Sequence, residues 1–347
     1  MESTGLIQEG DHRFQSLRCL VGDTPMLSIH CRYRGKETTV HAKFEIRNFT
    51  GSIKDRMALR ILEDAYREGA LPQDAIIAEA TSGNTGISFA AVGRALEHRV
   101  RIYMPDWMSR ERVEVIRSLG ADVVPISPEE GGFKGAIAGA EAFASEHDNV
   151  FLPRQFDSAA NVEAHHDTTA PELLAQLRSR GVRPTAFVAG VGTGGTVMGV
   201  GFYLREHVPG ITIHPLEPAN SPTLRTGKRT GKHRIQGISD EFIPSIVHLD
   251  EVDELVDVWD GDAIIAAQRL ASELGLGVGI SSGANLLGAL QIAHAQGKYA
   301  AVATVFPDSN KKYFTTDLCR EEPLEPHYHC AELELLGCRV TPPVDYT

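Results

Sequence analysis

The chain is poor in cysteine, in basic charge and in long apolar runs, and each shortage removes a class of protein. Its five cysteines, Cys19, Cys31, Cys319, Cys330 and Cys338, are sparse, odd in number and not spaced as a disulfide framework, which predicts a reducing, cytoplasmic setting. Thirty-four Lys plus Arg against 46 Asp plus Glu leave a net charge of −12, which excludes a broadly basic nucleic-acid surface but leaves room for a local basic pocket. No uninterrupted run reaches the roughly 18 apolar residues a membrane helix needs, and the opening MESTGLIQEGDHRF lacks the basic-then-apolar pattern of a leader. Neither nucleic acid nor membrane is expected as a partner. The tail gathers Cys319, His327, His329, Cys330 and Cys338, yet without the paired C-x₂-C spacing of a zinc site, so no metal is predicted.

What is present is an ordinary globular composition: 347 residues, 42% hydrophobic and 23% charged, enough for two modest domains. Short β-branched runs at 39–44, 75–79, 100–104, 122–126, 149–152, 186–191, 211–216, 254–259 and 300–306 alternate with stretches of helical spacing at 54–69, 85–97, 110–119, 133–147, 196–206, 262–275 and 284–296. That alternation predicts an α/β protein with doubly wound parallel sheets. The pattern is weakest over 157–181. Residues 220–237, rich in Gly, Lys, Arg and Thr, predict a long surface loop, and the acidic, proline-bearing chain from about Arg320 predicts an appendage.

Three glycine-rich joints carry the chemistry. A strand runs into Gly192, Thr193, Gly194, Gly195 and Thr196 and then into a helix; glycines admit close approach and the helix start aims N–H groups and positive dipole at one point, so this is a phosphate cup. Without a following Gly-Lys-Ser/Thr it is no Walker loop, whereas Glu217 at the end of the next strand keeps a dinucleotide site in play. A second joint, Ala78 to Gly86, adds the hydroxyls of Thr81, Ser82 and Thr85 and the amide of Asn84 to free helix N–H groups, which suits a carboxylate; the alternative is simple N-capping by Ser82 or Asn84. A third, Gly279 to Ala284, also opens a helix, with a serine cap as its plain alternative. Lys54, after Thr50-Gly51-Ser52-Ile53 at a helix start, meets the unfavourable end of the dipole, which lowers its pKa toward the neutral amine that forms an imine.

Taken in order, these segments resemble the cysteine synthase and cystathionine β-synthase family of pyridoxal-phosphate enzymes, fold type II and tryptophan synthase β-like. The resemblance runs from about Leu17 to Leu318 through Val21-Gly22-Asp23-Thr24-Pro25, Ser52 to Arg56, Thr81 to Gly86, Gln155-Phe156, Asn161 to Glu172, Gly192 to Thr196, Ile235-Gln236-Gly237, Gly279 to Gly283 and Phe306 to Ser309. It implies two doubly wound parallel-sheet domains with pyridoxal 5′-phosphate in the cleft between them. The smaller, substrate-closing domain would be 45–155, the larger cofactor-phosphate domain 1–44 with 156–318, and a C-terminal extension 319–347. The assembly it implies is a homodimer.

By the same resemblance, Lys54 holds the cofactor as an internal aldimine and later moves the α proton, and Gly192, Thr193, Gly194, Gly195 and Thr196 bind the phosphate. Asn84 faces the 3′ oxygen of the ring. Thr81, Ser82 and Thr85, helped by Gln155, receive the substrate carboxylate. Ser281 meets the pyridine nitrogen, ahead of Ser282. A hydroxyl there does not enforce ring protonation, which favours loss of a β-leaving group over transamination. The implied reaction is β-replacement through an aminoacrylate on serine, O-acetylserine or O-phosphoserine, with a sulfide, thiol or amine nucleophile, most simply cysteine synthesis. Cystathionine formation from homocysteine, a diaminopropionate-type synthesis with an amine, and serine or threonine dehydration stand as alternatives, the last because Asn48-Phe49-Thr50-Gly51 stands where the family usually has Asn-Pro before the lysine turn and Thr50-Gly51-Ser52 resembles the threonine synthase and threonine dehydratase branch. Asp240 and Glu241 stand where cysteine synthases carry small residues at the active-site mouth. Carboxylates facing that mouth would disfavour HS⁻; the alternative is that they face solvent or pair with Lys232 or Arg234.

Overall fold

The computed structural model describes residues 12–239 and 241–345. The chain divides into two compact units, Met1–Gly22 with Asn48–Asn161, and Asp23–Arg47 with Val162–Thr347. In the first, strands β3 (Ile76–Ala80), β4 (Arg99–Pro105), β5 (Asp122–Ile126) and β6 (Val150–Phe151) form a parallel sheet in the order β5-β4-β3-β6. Helix α1 (Lys54–Arg67) leads into β3, and the crossovers between the strands are α2 (Asn84–Ala95), α3 (Arg110–Ser118) and α4 (Gly132–Glu146). Buried faces explain the apolar runs: Ala78, Ala80 and Tyr103 of the sheet pack on Ala136 and Ala140 of α4. Gly93 of α2 lies so close to Val100 that an added Cβ would stand 2.7 Å from its Cγ2, so α2 is pressed onto β4.

The second unit holds a seven-stranded sheet in the order β11-β1-β2-β10-β7-β8-β9. The strands are β1 (Met26–Tyr33), β2 (Lys36–Phe44), β7 (Ala186–Gly190), β8 (Thr212–Pro218), β9 (Val256–Val258), β10 (Val302–Phe306) and β11 (Leu333–Thr341). From β2 to β9 every pairing is parallel; β1 runs antiparallel to both β2 and β11, so this sheet is mixed rather than wholly parallel. The β1–β2 hairpin turns on Arg34 (φ 51°) and Gly35 (φ 73°), the two positive dihedrals that a tight hairpin of matching twist demands. The chain from Arg320 is thus more than an appendage, because Leu333–Thr341 completes the sheet along β1.

The weakly patterned stretch 157–181 folds as α5 (Ala159–Ala164), a π turn over His165–Thr169, and α6 (Ala170–Ser179). Three more helices belong to the second unit: α7 (Gly195–His207), α8 (Asp260–Leu274) and α9 (Ile280–Gln296). The buried residues of α8 and α9, including Leu270, Leu286, Leu287 and Leu290, meet Val188, Leu216 and Val258 of the sheet in one core. The segment 220–237 is a loop with one helical turn at Thr223–Thr226, but it is not wholly superficial, since Ile235 is fully buried in that core.

Candidate functional site

In the first unit, Lys54 is the first residue of α1, and no side chain caps that helix. The turn before it is fixed by the buried Asp55, whose carboxylate accepts the Thr50 N–H at 2.6 Å, the Thr50 hydroxyl at 2.5 Å and the Ser88 hydroxyl at 2.6 Å. Asp55 therefore ties the lysine turn to α2, a role that neighbouring letters in the sequence do not reveal. Ser52 is fully buried, and among the described residues its hydroxyl has no hydrogen-bond partner.

The C-terminal end of β3 feeds the second joint. The turn passes through Gly83 at φ 155°, a conformation open to glycine, with the buried Arg112 side chain occupying the place of a Cβ. Asn84 starts α2 behind Gly83, and no side chain caps it, so the capping alternative for Ser82 and Asn84 fails. Thr81 Oγ1 accepts the Gly83 N–H at 3.0 Å, while half-buried Ser82 leaves its hydroxyl at the helix start. Thr85 donates to Gln155 Oε1 at 2.7 Å, and Gln155 Nε2 donates to the Ala80 carbonyl at 2.9 Å. Thr85 and Gln155 thus brace each other; one amide hydrogen of Gln155 remains for a ligand.

Behind this pair lies Glu79, buried and accepting the N–H groups of Ala80 (2.9 Å) and Gln155 (3.3 Å). Burial pushes its carboxyl up to about 8, with those N–H groups pulling the other way and Asp157 adding to the rise. Between its ordinary 4.5 and about 8 the folded chain keeps a proton that the unfolded chain releases. Stability should accordingly fall as pH rises through that window. Urea unfolding of wild type and Glu79→Gln from pH 5 to 8 checks this: the variant's stability should depend less on pH, and parallel profiles would show that Glu79 titrates normally.

In the second unit, β7 leads into Gly192–Thr196 and α7. Gly194 sits at φ 92°, where an added Cβ would stand 2.1 Å from Val247 Cγ2, and one on Gly192 would stand 2.3 Å from the Gly237 carbonyl. The cup is therefore built for bare backbone, and the first turn of α7 leaves N–H groups without intrahelical acceptors. Thr193 Oγ1 accepts the Gly195 N–H at 3.4 Å. The fully buried His165 bridges Thr169 Oγ1 (2.9 Å) and Thr196 Oγ1 (3.3 Å), so the π turn orients a hydroxyl of the cup. The chemistry of this donor set fits a phosphate monoester.

Ser281 and Ser282 lie in the first turn of α9, where Gly279 is the cap residue and no side chain caps, so the plain serine-cap alternative fails there too. Both are buried, and among the described residues the Ser282 hydroxyl has no hydrogen-bond partner. Glu217, the residue that kept a dinucleotide site in play, spends its carboxylate on the N–H groups of Leu224 (2.6 Å) and Arg225 (3.2 Å). Of the two acidic residues at 240–241, Asp240 lies outside the described residues, and Glu241 pairs with Arg229 at 3.0 Å rather than with Lys232 or Arg234. Among the described residues no cluster of His, Cys, Asp and Glu is arranged to hold a metal ion, and no helix is long and apolar enough to cross a membrane.

The chain matches the family described as pyridoxal-phosphate dependent enzyme over residues 17–308. It is 40% identical over 299 residues to a probable cysteine synthase of Bacillus subtilis (strain 168), covering 86% of this chain and 96% of the relative. A solved hydrogen sulfide-producing enzyme from Fusobacterium nucleatum is similar at TM-score 0.91 and 49% identity, covering 95% of this chain and 99% of that one. An O-ureido-L-serine synthase follows at TM-score 0.81 and 36% identity, with 89% and 96% covered. The chain belongs to the pyridoxal-phosphate dependent enzyme family, in its fold type II branch. Within that branch it is a cysteine synthase-like enzyme, and β-replacement on a serine derivative is its class of reaction.

Ser82→Ala tests the carboxylate loop. A hydrogen bond to a charged group contributes about 1.5–3 kcal/mol, so the amino-acid KM should rise about tenfold or more while the resting absorbance of the bound cofactor stays unchanged. A shifted resting spectrum would place Ser82 against the cofactor instead.

Proposed function

We propose that this protein catalyses β-replacement on serine, O-acetylserine or O-phosphoserine, with sulfide as the simplest nucleophile, and works as a cytoplasmic homodimer. The observation that carries the reading is the 40% identity to cysteine synthase over 86% of the chain. It is supported by a lysine at a helix start in the first unit and a glycine cup in the second. Gly192, Thr193, Gly194, Gly195 and Thr196 would hold the phosphate of pyridoxal phosphate, Lys54 its aldehyde carbon, Asn84 its ring oxygen and Ser281 its ring nitrogen. Bound there, the cofactor supplies the electron sink that makes the substrate's Cα–H acidic and lets a β-substituent depart.

The chain's own residues then hold the substrate and move one proton. Thr81, Ser82 and Thr85, with the spare amide hydrogen of Gln155, fix the carboxylate and so the direction of the Cα–H bond. Lys54 Nζ takes the α proton and returns it once the new bond at Cβ has formed. The five unpaired cysteines support a reducing compartment, and light scattering on the purified protein tests the dimer.

A second reading is favoured by one observation: identity to the sulfide-producing enzyme, 49%, exceeds that to cysteine synthase, 40%. In it cysteine is the donor, water or a thiol replaces its sulfur at Cβ, and sulfide leaves. Paired assays decide. Faster cysteine formation from O-acetylserine and sulfide supports the first reading; faster sulfide release from cysteine, with serine or a thioether as co-product, supports the second. Pyruvate and ammonia as the main products from serine would make the protein a dehydratase.

A further inference from the structure

The residues that back the glycine cup are themselves gripped from the C-terminal extension. Residues 235–239 lie along the strand end that feeds the cup: the Ser239 N–H donates to the Val191 carbonyl at 2.7 Å, Ile238 packs on Gly190, and the Gly237 carbonyl fills the space where Gly192 lacks a side chain. The segment's own contacts share in holding it there: Ile235 and Ile238 are buried in the core, and the Ser239 hydroxyl bonds the Ser221 carbonyl and Thr223 Oγ1, each at 3.1 Å. At its head stands Arg234. Its backbone N–H donates to Asp260 Oδ2 at 2.9 Å, and Nη2 reaches Asp260 Oδ1 at 2.9 Å. The opposite side of the guanidinium meets the extension, with Nη1 and Nη2 each 2.6 Å from one oxygen of Glu322 and Nη1 3.5 Å from Asp317. The side chains of Glu322 and Asp260 are only 8% and 6% exposed and that of Arg234 is 36% exposed, so this is a planar, two-sided grip in which two buried carboxylates hold a partly exposed guanidinium.

We propose that the stretch from Asp317 to Glu322 is a clamp for the cofactor's phosphate: by gripping Arg234 it keeps residues 235–239 seated against Val191 and Gly192, and so holds the cup in its phosphate-binding shape. The proposal rests on reading Gly192–Thr196 as the phosphate site. It assigns Glu322 and Arg234 as positioning residues that touch neither cofactor nor substrate.

Glu322→Gln in the full chain tests it, because the amide keeps the shape and removes the charge. Release of pyridoxal phosphate from the holoenzyme is followed by absorbance after dilution. Affinity for pyridoxal, which lacks the phosphate, is measured on the same protein after cofactor removal. The expected result is release of pyridoxal phosphate roughly five- to tenfold faster, as for weakening one charge-assisted contact, with pyridoxal affinity changed less than twofold. Equal weakening of both ligands, or no change in either, overturns the clamp. Gly194→Val is the control: if it retains pyridoxal phosphate as wild type does, the phosphate reading has failed and the clamp with it. If Gly194→Val loses the cofactor while Glu322→Gln is unaffected, only the clamp has failed. Should Glu322→Gln not fold, Arg234→Lys carries the same expectations, since it keeps the charge and loses the fork.

Discussion

Lys54→Ala is expected to abolish covalent capture of pyridoxal phosphate and to remove turnover. Loss of a positioned proton carrier alone costs roughly 10²–10⁴-fold, and in the role proposed for Lys54 the same amine would also anchor the cofactor. The lysine turn should survive the change, because Asp55 holds it through Thr50 and Ser88 rather than through residue 54. Borohydride reduction followed by peptide mapping is the measurement: wild type should be labelled at one site and the variant at none. A variant still labelled at a single lysine would move the anchor elsewhere in the chain.

Thr196→Ala combined with Gly194→Val is expected to strip the protein of cofactor on dialysis. The first change removes a hydroxyl that His165 orients at 3.3 Å. The second puts a branched side chain at φ 92°, a conformation costing about 1–2 kcal/mol for such a residue, and aims its Cβ within 2.1 Å of Val247. Because the valine strains the loop, Thr196→Ala alone should show the same direction more weakly. Wild-type cofactor content in the double variant would mean that phosphate is bound at another place.

The parallel α/β core was legible because its strands are short apolar runs buried on both faces and its helices carry a clear period. The stretches read at 54–69, 110–119 and 284–296 match α1, α3 and α9 to within a few residues. β1 escaped because Met26–Tyr33 sets His30 and Arg32 among its apolar residues, as an antiparallel strand near a sheet margin can. β11 escaped because it follows a proline-bearing acidic stretch, and its pairing with β1 is visible only in three dimensions. The π turn at His165–Thr169 has no apolar period to read.

Residue types at the candidate site were legible, and their division of labour was not. Thr85 and Gln155 are far apart in sequence, so nothing local announces that one holds the other. Asp55 and Glu79 look like ordinary acids until their burial and N–H donors are known. Glu217 illustrates the converse: its position at a strand end kept a dinucleotide site in play, but the turn that follows consumes both carboxylate oxygens.

The order of strands in the seven-stranded sheet also dictates an order of synthesis. Val40 of β2 finds its parallel neighbour at Val302 of β10, and β11 closes on β1 later still. As the chain emerges from a ribosome, Asn48–Asn161 is complete and able to pack long before β2 has a partner on its inner side. The β1–β2 hairpin must therefore wait, apolar and half-paired, while an entire unit is made between its halves of the sheet. Long-range pairing of this kind slows folding and lengthens exposure of sticky surface. Arg32 on β1 is a charge of the kind that discourages an unpaired strand from pairing with the wrong chain.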